Sequence, residues 1–334
     1  MRPSLRHIAQ RLGISDATVS NALHGTGRVS TDLREKVRAV AKEIGYVPDH
    51  AGRALRAGRT KTIGLLVPDI ANPVMATLLS ELELAARRRG YGVMVANSAD
   101  NPATQASEIE ALLARGADSL VIVPRRGSAV GPVHVPVTII SSAASPLNTV
   151  SSDYRSGGRA VAAHLVAHGH RSVLILGGAQ ASDVGIERVA GMQEVFSANA
   201  VRFDIVYSEV TLDIGSALVQ DWKPGTHSAI VGAYDLLALG ALAQLRERNI
   251  RIPEDVSLTG FDDLVWCRFF SPQLTSVRMD HAAVADAAIA RLDGEPCPAT
   301  LIPTELIIRG SSGPARRASP KRSTRSPRAG KITR

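Results

Sequence analysis

Cysteine, aromatic residues and long apolar runs are scarce in this 334-residue chain, and each shortage excludes a class of protein. The two cysteines, Cys267 and Cys297, show neither metal-ligand spacing nor a disulfide framework, so reduced thiols are expected. No apolar run approaches the ~20 residues that cross a bilayer as a helix. The opening MRPSLRHIAQ lacks the apolar stretch of a signal peptide. These absences point to a soluble, cytoplasmic protein without membrane association. Catalytic signatures are missing too: there is no Walker loop, no Gly-x-Ser-x-Gly and no His-Glu-x-x-His. His164, His168 and His170 cluster, and the i, i+4 pair has a spacing that binds metals. Helix-surface and helix-end positions are the preferred reading, so no metal, cofactor or catalytic residue is expected.

Charge is plentiful but unevenly placed. Residues 1–60 hold eleven Lys/Arg against five Asp/Glu, a net +6. Residues 315–334 hold eight Lys/Arg and no acids, a net +8, so the remaining body carries −6. Two basic ends around a mildly acidic body suggest a polyanion-binding part joined to a part with another task.

The first basic part reads as three short helices. Ser4 caps one with Leu5, Ile8, Ala9 and Leu12 on a single face, and Gly13 ends it. Ser15 caps a second, in which Val19, Ala22 and Leu23 face inward. Gly25 and Gly27 mark a turn, and Ser30 caps a third whose outer face carries Arg34, Lys36, Arg38 and Lys42. The Ala9, Gly13, Val19 spacing suits a helix-turn-helix, whose second helix lies in the major groove. Asp16, Ala17 and Asn21 then face outward. Asn21 suits a bidentate bond to adenine, Ala17 a thymine methyl, and Asp16 a cytosine amine. Ser15, Thr18 and Ser20 can bond phosphate oxygens. A plain three-helix core fits an isolated motif of this kind as well; the terminal position and the basic third helix favour DNA.

From Thr62 onward strands alternate with helices in two rounds, the second starting after Asp153, as in two lobes built on parallel sheets. Only RRGSAVGPVHVP separates the strands SLVIVP and VTIISS, which leaves room for a loop crossover and no helix. Beyond Gly313 the chain is Ser, Pro, Arg and Lys with almost no apolar residues, which reads as a disordered basic tail.

The run LRHIAQRLGISDATVSNALHGTGRVSTDLREKVRAVAKEIGYVPDHAGRALRAGRTKTIGLLVPDIANP closely resembles the N-terminal region of LacI/GalR-family transcription regulators. The likeness continues through GHRSVLILGG, ERVAGM, YDLLALGAL, IPEDVSLTGFDD and SPQLTSV, to about Gly310. It implies an N-terminal all-α helix-turn-helix domain (1–47), a hinge helix or linker (48–60), and an α/β two-lobed periplasmic-binding-protein-like body with parallel sheets (61–312). The N-lobe would take about 61–154 and 278–303, the C-lobe about 155–277 and 304–312, and 313–334 the tail. In the family the hinge helix folds on operator DNA and wedges a leucine into the minor groove. Leu55 stands at that position, with Ala51 and Arg53 lining or flanking the groove. Gly52, where alanine is usual, raises the cost of ordering.

The resemblance further implies a homodimer on pseudo-palindromic double-stranded operator DNA, with a small-molecule effector between the lobes. Arg188 sits where family members bond effector hydroxyls. Asp69, Asp235 and Asp262 end strands at the cleft, where ligands of parallel sheets collect. Trp266 can stack on a sugar face. Val74 and Met75 replace two usual aromatics, and Tyr234 replaces a common asparagine. Ser182 and Val184 stand where purine-sensing relatives are polar and often basic, which argues against a nucleobase. The expectation is a repressor with a carbohydrate effector. Its rivals are a solute-binding receptor with the same body, an enzyme acting on DNA, and a regulator that has lost effector sensing.

Overall fold

A computed structural model describes residues 3–46, 59–124, 130–143, 149–294 and 299–316. The chain divides into two units, Met1–Thr60 and Lys61–Arg334.

The first unit contains α1 (Leu5–Leu12), α2 (Asp16–His24) and α3 (Thr31–Glu43). Gly13 and Gly25 end the first two helices in the left-handed conformation, at φ 65° and 71°, which glycine adopts without steric cost. Ser15 Oγ accepts from Thr18 N at 3.1 Å, and Ser30 Oγ accepts from Leu33 N at 3.4 Å. Ile8, Ala9, Val19, Ala22, Val37 and Ala41 form the buried core, ringed by half-buried Leu5, Leu12, Leu23 and Leu33. These helices are short for isolated stability, so burial of that shared core holds them together.

The second unit carries two sheets with helices on their faces. Strands β1 (Thr62–Val67), β2 (Gly92–Asn97), β3 (Ser119–Ile122) and β4 (Val137–Ile139) form one parallel sheet in the order β2-β1-β3-β4. It is covered by α4 (Pro73–Arg88) and α5 (Pro102–Ala114). The short β5 (Val150–Ser152) follows, bridged to β4 by Ile140 and Val150. The second lobe contains α6 (Tyr154–Ala167), β6 (Ser172–Gly177), α7 (Asp183–Ala198) and β7 (Arg202–Tyr207). It continues with α8 (Leu212–Leu218), β8 (Ala229–Gly232), α9 (Asp235–Glu247), β9 (Ser257–Phe261) and β10 (Thr275–Met279). Helix α10 (His281–Leu292) returns to the first lobe, β11 (Thr300–Ile302) pairs in parallel with β5, and β12 (Thr304–Ile307) closes the second sheet. That sheet runs β12-β10-β9-β8-β6-β7, parallel except for the antiparallel β12. The chain passes between lobes at Asp153, Asp280 and Pro303. Asp153 and Asp280 each cap the helix they enter, accepting from Ser156 N and Ala283 N at 2.9 Å.

No helix occurs among the described residues between β3 and β4, which pair in parallel. Val130, Val133 and Val135 pack on the sheet face that a crossover helix would otherwise cover. Helices α6 and α7 approach at two glycines: a Cβ on Gly158 would lie 2.2 Å from the Arg188 carbonyl oxygen, and one on Gly191 2.1 Å from that of Arg155. Only glycine permits that contact.

Two expectations need correction. Disorder from Gly313 onward does not hold for 313–316. Gly313 is buried, its N donates to Ser257 Oγ at 3.0 Å, and its carbonyl lies 3.0 Å from His170 Nε2. Ala315 N donates to the His168 carbonyl at 2.8 Å. Backbone hydrogen bonds, not apolar side chains, secure this segment. Of the histidines, His168 caps the end of α6 as expected, but His164 and His170 are buried, and His164 Nε2 lies 2.9 Å from Ser312 Oγ. Burial lowers the pKa of both, consistent with neutral rings pinning the chain. Residues 317–334 lie outside the described residues. Among the described residues no helix is long and apolar enough to cross a membrane.

Candidate functional site

In the first unit, α2 turns its apolar residues Val19 and Ala22 into the core and leaves Ser15, Asp16, Ala17 and Asn21 exposed. This follows from the helical period, since buried positions three apart free the opposite face. Thr18 is half-buried, and its Oγ1 lies 2.9 Å from Ser15 Oγ, so the two hydroxyls already serve the helix cap. Ser20 is half-buried too. Asn21 Oδ1 accepts from Thr26 Oγ1 at 3.3 Å, which orients the amide next to Gly27. Ala51, Arg53 and Leu55 lie outside the described residues.

In the second unit a cleft of about 680 Å³ opens between the lobes. Pro73, Val74 and Thr77 of α4 form one wall; Asp262, Trp266 and Arg268 of the other lobe face them, with Asp280 and His281 at the crossing. Trp266 is 41 % exposed, a ring face available for stacking. Asp262 and Asp263 both have positive φ, 127° and 49°, a conformation that costs non-glycine residues free energy and clusters at functional sites. It is held by Asp262 N donating to the Val277 carbonyl at 2.8 Å and Asp263 N to Ser276 Oγ at 3.0 Å. Asp263 is buried beneath Arg278, whose Nε donates to it at 2.7 Å, and Arg309.

Arg188 does not line the open cleft. Its side chain is 3 % exposed; it donates to Asp262 Oδ1 and to the Ala233 carbonyl, both at 2.7 Å. The guanidinium carbon lies 4.1 Å from the Phe261 ring centroid, 4.5 Å from that of Tyr234 and 5.1 Å from that of Tyr154. These are cation–π distances. Arg188 Nε is buried without a hydrogen-bond partner. Burial pushes the Asp262 carboxyl up to about 7, against the opposing pull of Arg188 and with Asp235 adding repulsion. Burial, followed by the charge of Arg188, brings His281 down to about 4.

The other expected residues divide sharply. Val74 lines the cleft, whereas Met75 is half-buried outside its lining. Asp69 is exposed and its Oδ1 accepts from Ala71 N at 2.9 Å, a turn contact. Asp235 is wholly buried: Oδ1 accepts from Ser276 Oγ at 2.7 Å, and Oδ2 from Leu264 N at 2.8 Å and Cys267 Sγ at 3.0 Å. As the first residue of α9 it points under the Asp262 loop, and both of its oxygens accept hydrogen bonds from that loop and from β10. Tyr234 lies over Arg188, with its hydroxyl 3.1 Å from Ser182 Oγ. Tyr154, Phe261, His281 and Arg278 were not anticipated. Tyr154 follows the crossing residue Asp153, and Phe261 precedes Asp262 at the end of β9; those placements are the only signals the sequence carries.

A family model for bacterial regulatory proteins, lacI family, matches residues 4–49, and one for a periplasmic binding protein-like domain matches residues 162–312. The transcriptional regulator MalR of Streptomyces coelicolor is 30 % identical over 96 % of this chain and 100 % of its own. The chain belongs to the LacI family. A crystal structure of the Lac repressor dimer bound to operator and the anti-inducer ONPF shares its fold, with a TM-score of 0.82 at 23 % identity, covering 94 % of this chain and 100 % of that one. The transcriptional regulator CelR, in complex with cellobiose, matches with a TM-score of 0.65 at 26 % identity over 93 % of this chain and all of that one. This LacI-family chain is thus a transcription regulator with a DNA-binding helix-turn-helix head, not an enzyme.

Proposed function

We propose that the chain represses transcription as a cytoplasmic homodimer on a pseudo-palindromic operator, and that a small, hydroxyl-rich effector in the interlobe cleft controls it. The head, 1–47, would read DNA through Asp16, Ala17 and Asn21, with Ser15, Thr18 and Ser20 at the phosphates. The hinge, 48–60, would add Leu55 as a minor-groove wedge beside Ala51 and Arg53. The exposed outward face of α2 carries the DNA part of this reading.

The cleft carries the effector part. Its lining sets the carboxylates of Glu81, Asp280 and Glu305 beside an exposed indole, while the Asp262 and Asp263 carboxyls are turned to the buried Arg188 and Arg309. Carboxylates accept hydrogen bonds from hydroxyls, and an aromatic face covers the apolar side of a sugar ring. A ligand bound between the lobes changes DNA affinity only if it prefers one lobe arrangement. One observation favours a second reading, a regulator without an effector: both terminal nitrogens of Arg188 are taken within the chain, by the Ala233 carbonyl and Asp262.

Selection of palindromic duplexes by the full chain tests the first part. A preference over random DNA that survives 200 mM salt is expected; binding that vanishes uniformly with salt refutes sequence reading. A panel of sugars and polyols, read by thermal shift and then by release from the selected operator, tests the second.

A further inference from the structure

The cleft has two compartments of unequal access. The outer one is the open space beside Trp266. The inner one surrounds Arg188 and is filled by protein. Its filler is Tyr234, which belongs to the turn between β8 and α9 and caps α9 by backbone alone, making no side-chain cap. Its ring faces the Arg188 guanidinium at 4.5 Å, and its hydroxyl meets Ser182 at 3.1 Å. The surrounding backbone is cut to this ring. A Cβ on Gly178 would lie 2.3 Å from a Tyr234 ring carbon, and one on Gly185 3.1 Å from the hydroxyl. Two glycines, a serine and an arginine thus form a socket with a flat wall, a hydrogen-bonding end and a cationic face. Val74, from the opposite lobe, packs on the same two apolar clusters as Tyr234.

We propose that Tyr234 is a tethered occupant of the Arg188 compartment, holding the place of a small phenolic ligand, so that a free effector enters only the outer compartment beside Trp266. This inference rests on the reading of the cleft as an effector site. The tyrosine side chain beyond Cβ is a phenol. Replacing it by alanine therefore leaves a vacancy of phenol shape, with Arg188, Phe261 and Ser182 still in place. Free phenol would recover there the cation–π contact with Arg188 and the hydroxyl contact with Ser182 that the tyrosine ring gives up.

The test uses the full chain and phenol itself. Phenol is expected to raise the melting temperature of Tyr234→Ala saturably, by about 3–5 °C at tenfold its Kd. Wild type and Tyr234→Phe, whose ring remains in place, are expected to stay unshifted. Adding Ser182→Ala to Tyr234→Ala should weaken phenol binding about 2- to 10-fold through the lost hydroxyl partner. Tyr234→Asn, short and a good helix cap, is the second variant, and it should also take phenol should the alanine variant fail to fold. A folded Tyr234→Ala or Tyr234→Asn that ignores phenol overturns the proposal, as does a wild type that binds phenol equally well. The polyol panel is a separate readout: its failure in both wild type and variant, beside successful phenol binding, sinks the effector reading and with it the outer-compartment part of the proposal, and leaves only the filling of the Arg188 socket by Tyr234.

Discussion

Asp235 was expected at the ligand and lies instead beneath the loop that forms the site, which makes its replacement a sharp test of the structure. Replacing Asp235 by alanine strands two buried donors, Leu264 N–H and the Ser276 hydroxyl, and removes the weaker Cys267 thiol contact. A buried donor left without a partner costs about 1–3 kcal/mol. Ser276 retains Asp263 N as a donor to its oxygen, and its hydroxyl can rotate, so its share sits at the low end. Burial raises the pKa of Asp235, so removing the carboxylate also removes a desolvation penalty. The balance is a loss of about 2–4 kcal/mol for Asp235→Ala. Asparagine keeps one carbonyl oxygen for Leu264 N–H, and its amide can donate to Ser276 Oγ. Asp235→Asn should therefore cost no more than about 1 kcal/mol. Urea denaturation of the body, with the slope m checked between variants, measures both. Equal losses in the two variants, or an alanine variant within 1 kcal/mol of wild type, refute the supporting role.

Two titrations oppose each other across the cleft. Asp262, folded at about 7 against an ordinary value of 3.8, favours the folded state below pH 4 and loses that advantage as pH rises to 7. His281, folded at about 4 against 6.5, works the other way, its penalty growing as pH falls from 6.5 to 4. His281→Phe should thus gain on wild type by up to about 3 kcal/mol as pH drops through that window, measured by denaturation at each pH; a difference independent of pH defeats the assignment. Asn21→Ala should relax preference at one operator position by about 1–3 kcal/mol in a binding-site selection, whereas uniform weakening would make it a phosphate contact. Leu55→Ala should reduce operator affinity far more than random-DNA affinity in parallel titrations; equal reduction removes the wedge.

The head was legible because its signals are local. Ser15 and Ser30 cap, Gly13 and Gly25 stop, and the apolar spacing of Ile8, Val19 and Val37 declares one face. The alternation of strands and helices revealed the body for the same reason. Arg188 was legible as a special residue but not as a closed one. Its rings come from Tyr154, Tyr234 and Phe261, and only tertiary structure joins residues so far apart in the chain. The burial of Asp235 was not legible because the end of a strand says where a residue lies, not whether it points to solvent or inward. The 313–316 segment misled because hydropathy counts side chains, whereas its anchors are the backbone groups of Gly313 and Ala315.

The glycine contact between α6 and α7 sets how motion would travel through this protein. With Gly158 and Gly191 bringing the two helices together, neither slides past the other without backbone collision. Arg188 rides on α7, and α6 begins one residue after the crossing at Asp153. Arg188 and the residue that follows the crossing at Asp153 therefore sit on one helix pair whose backbones touch, so a shift of either helix along the other meets backbone rather than a side chain that could change rotamer.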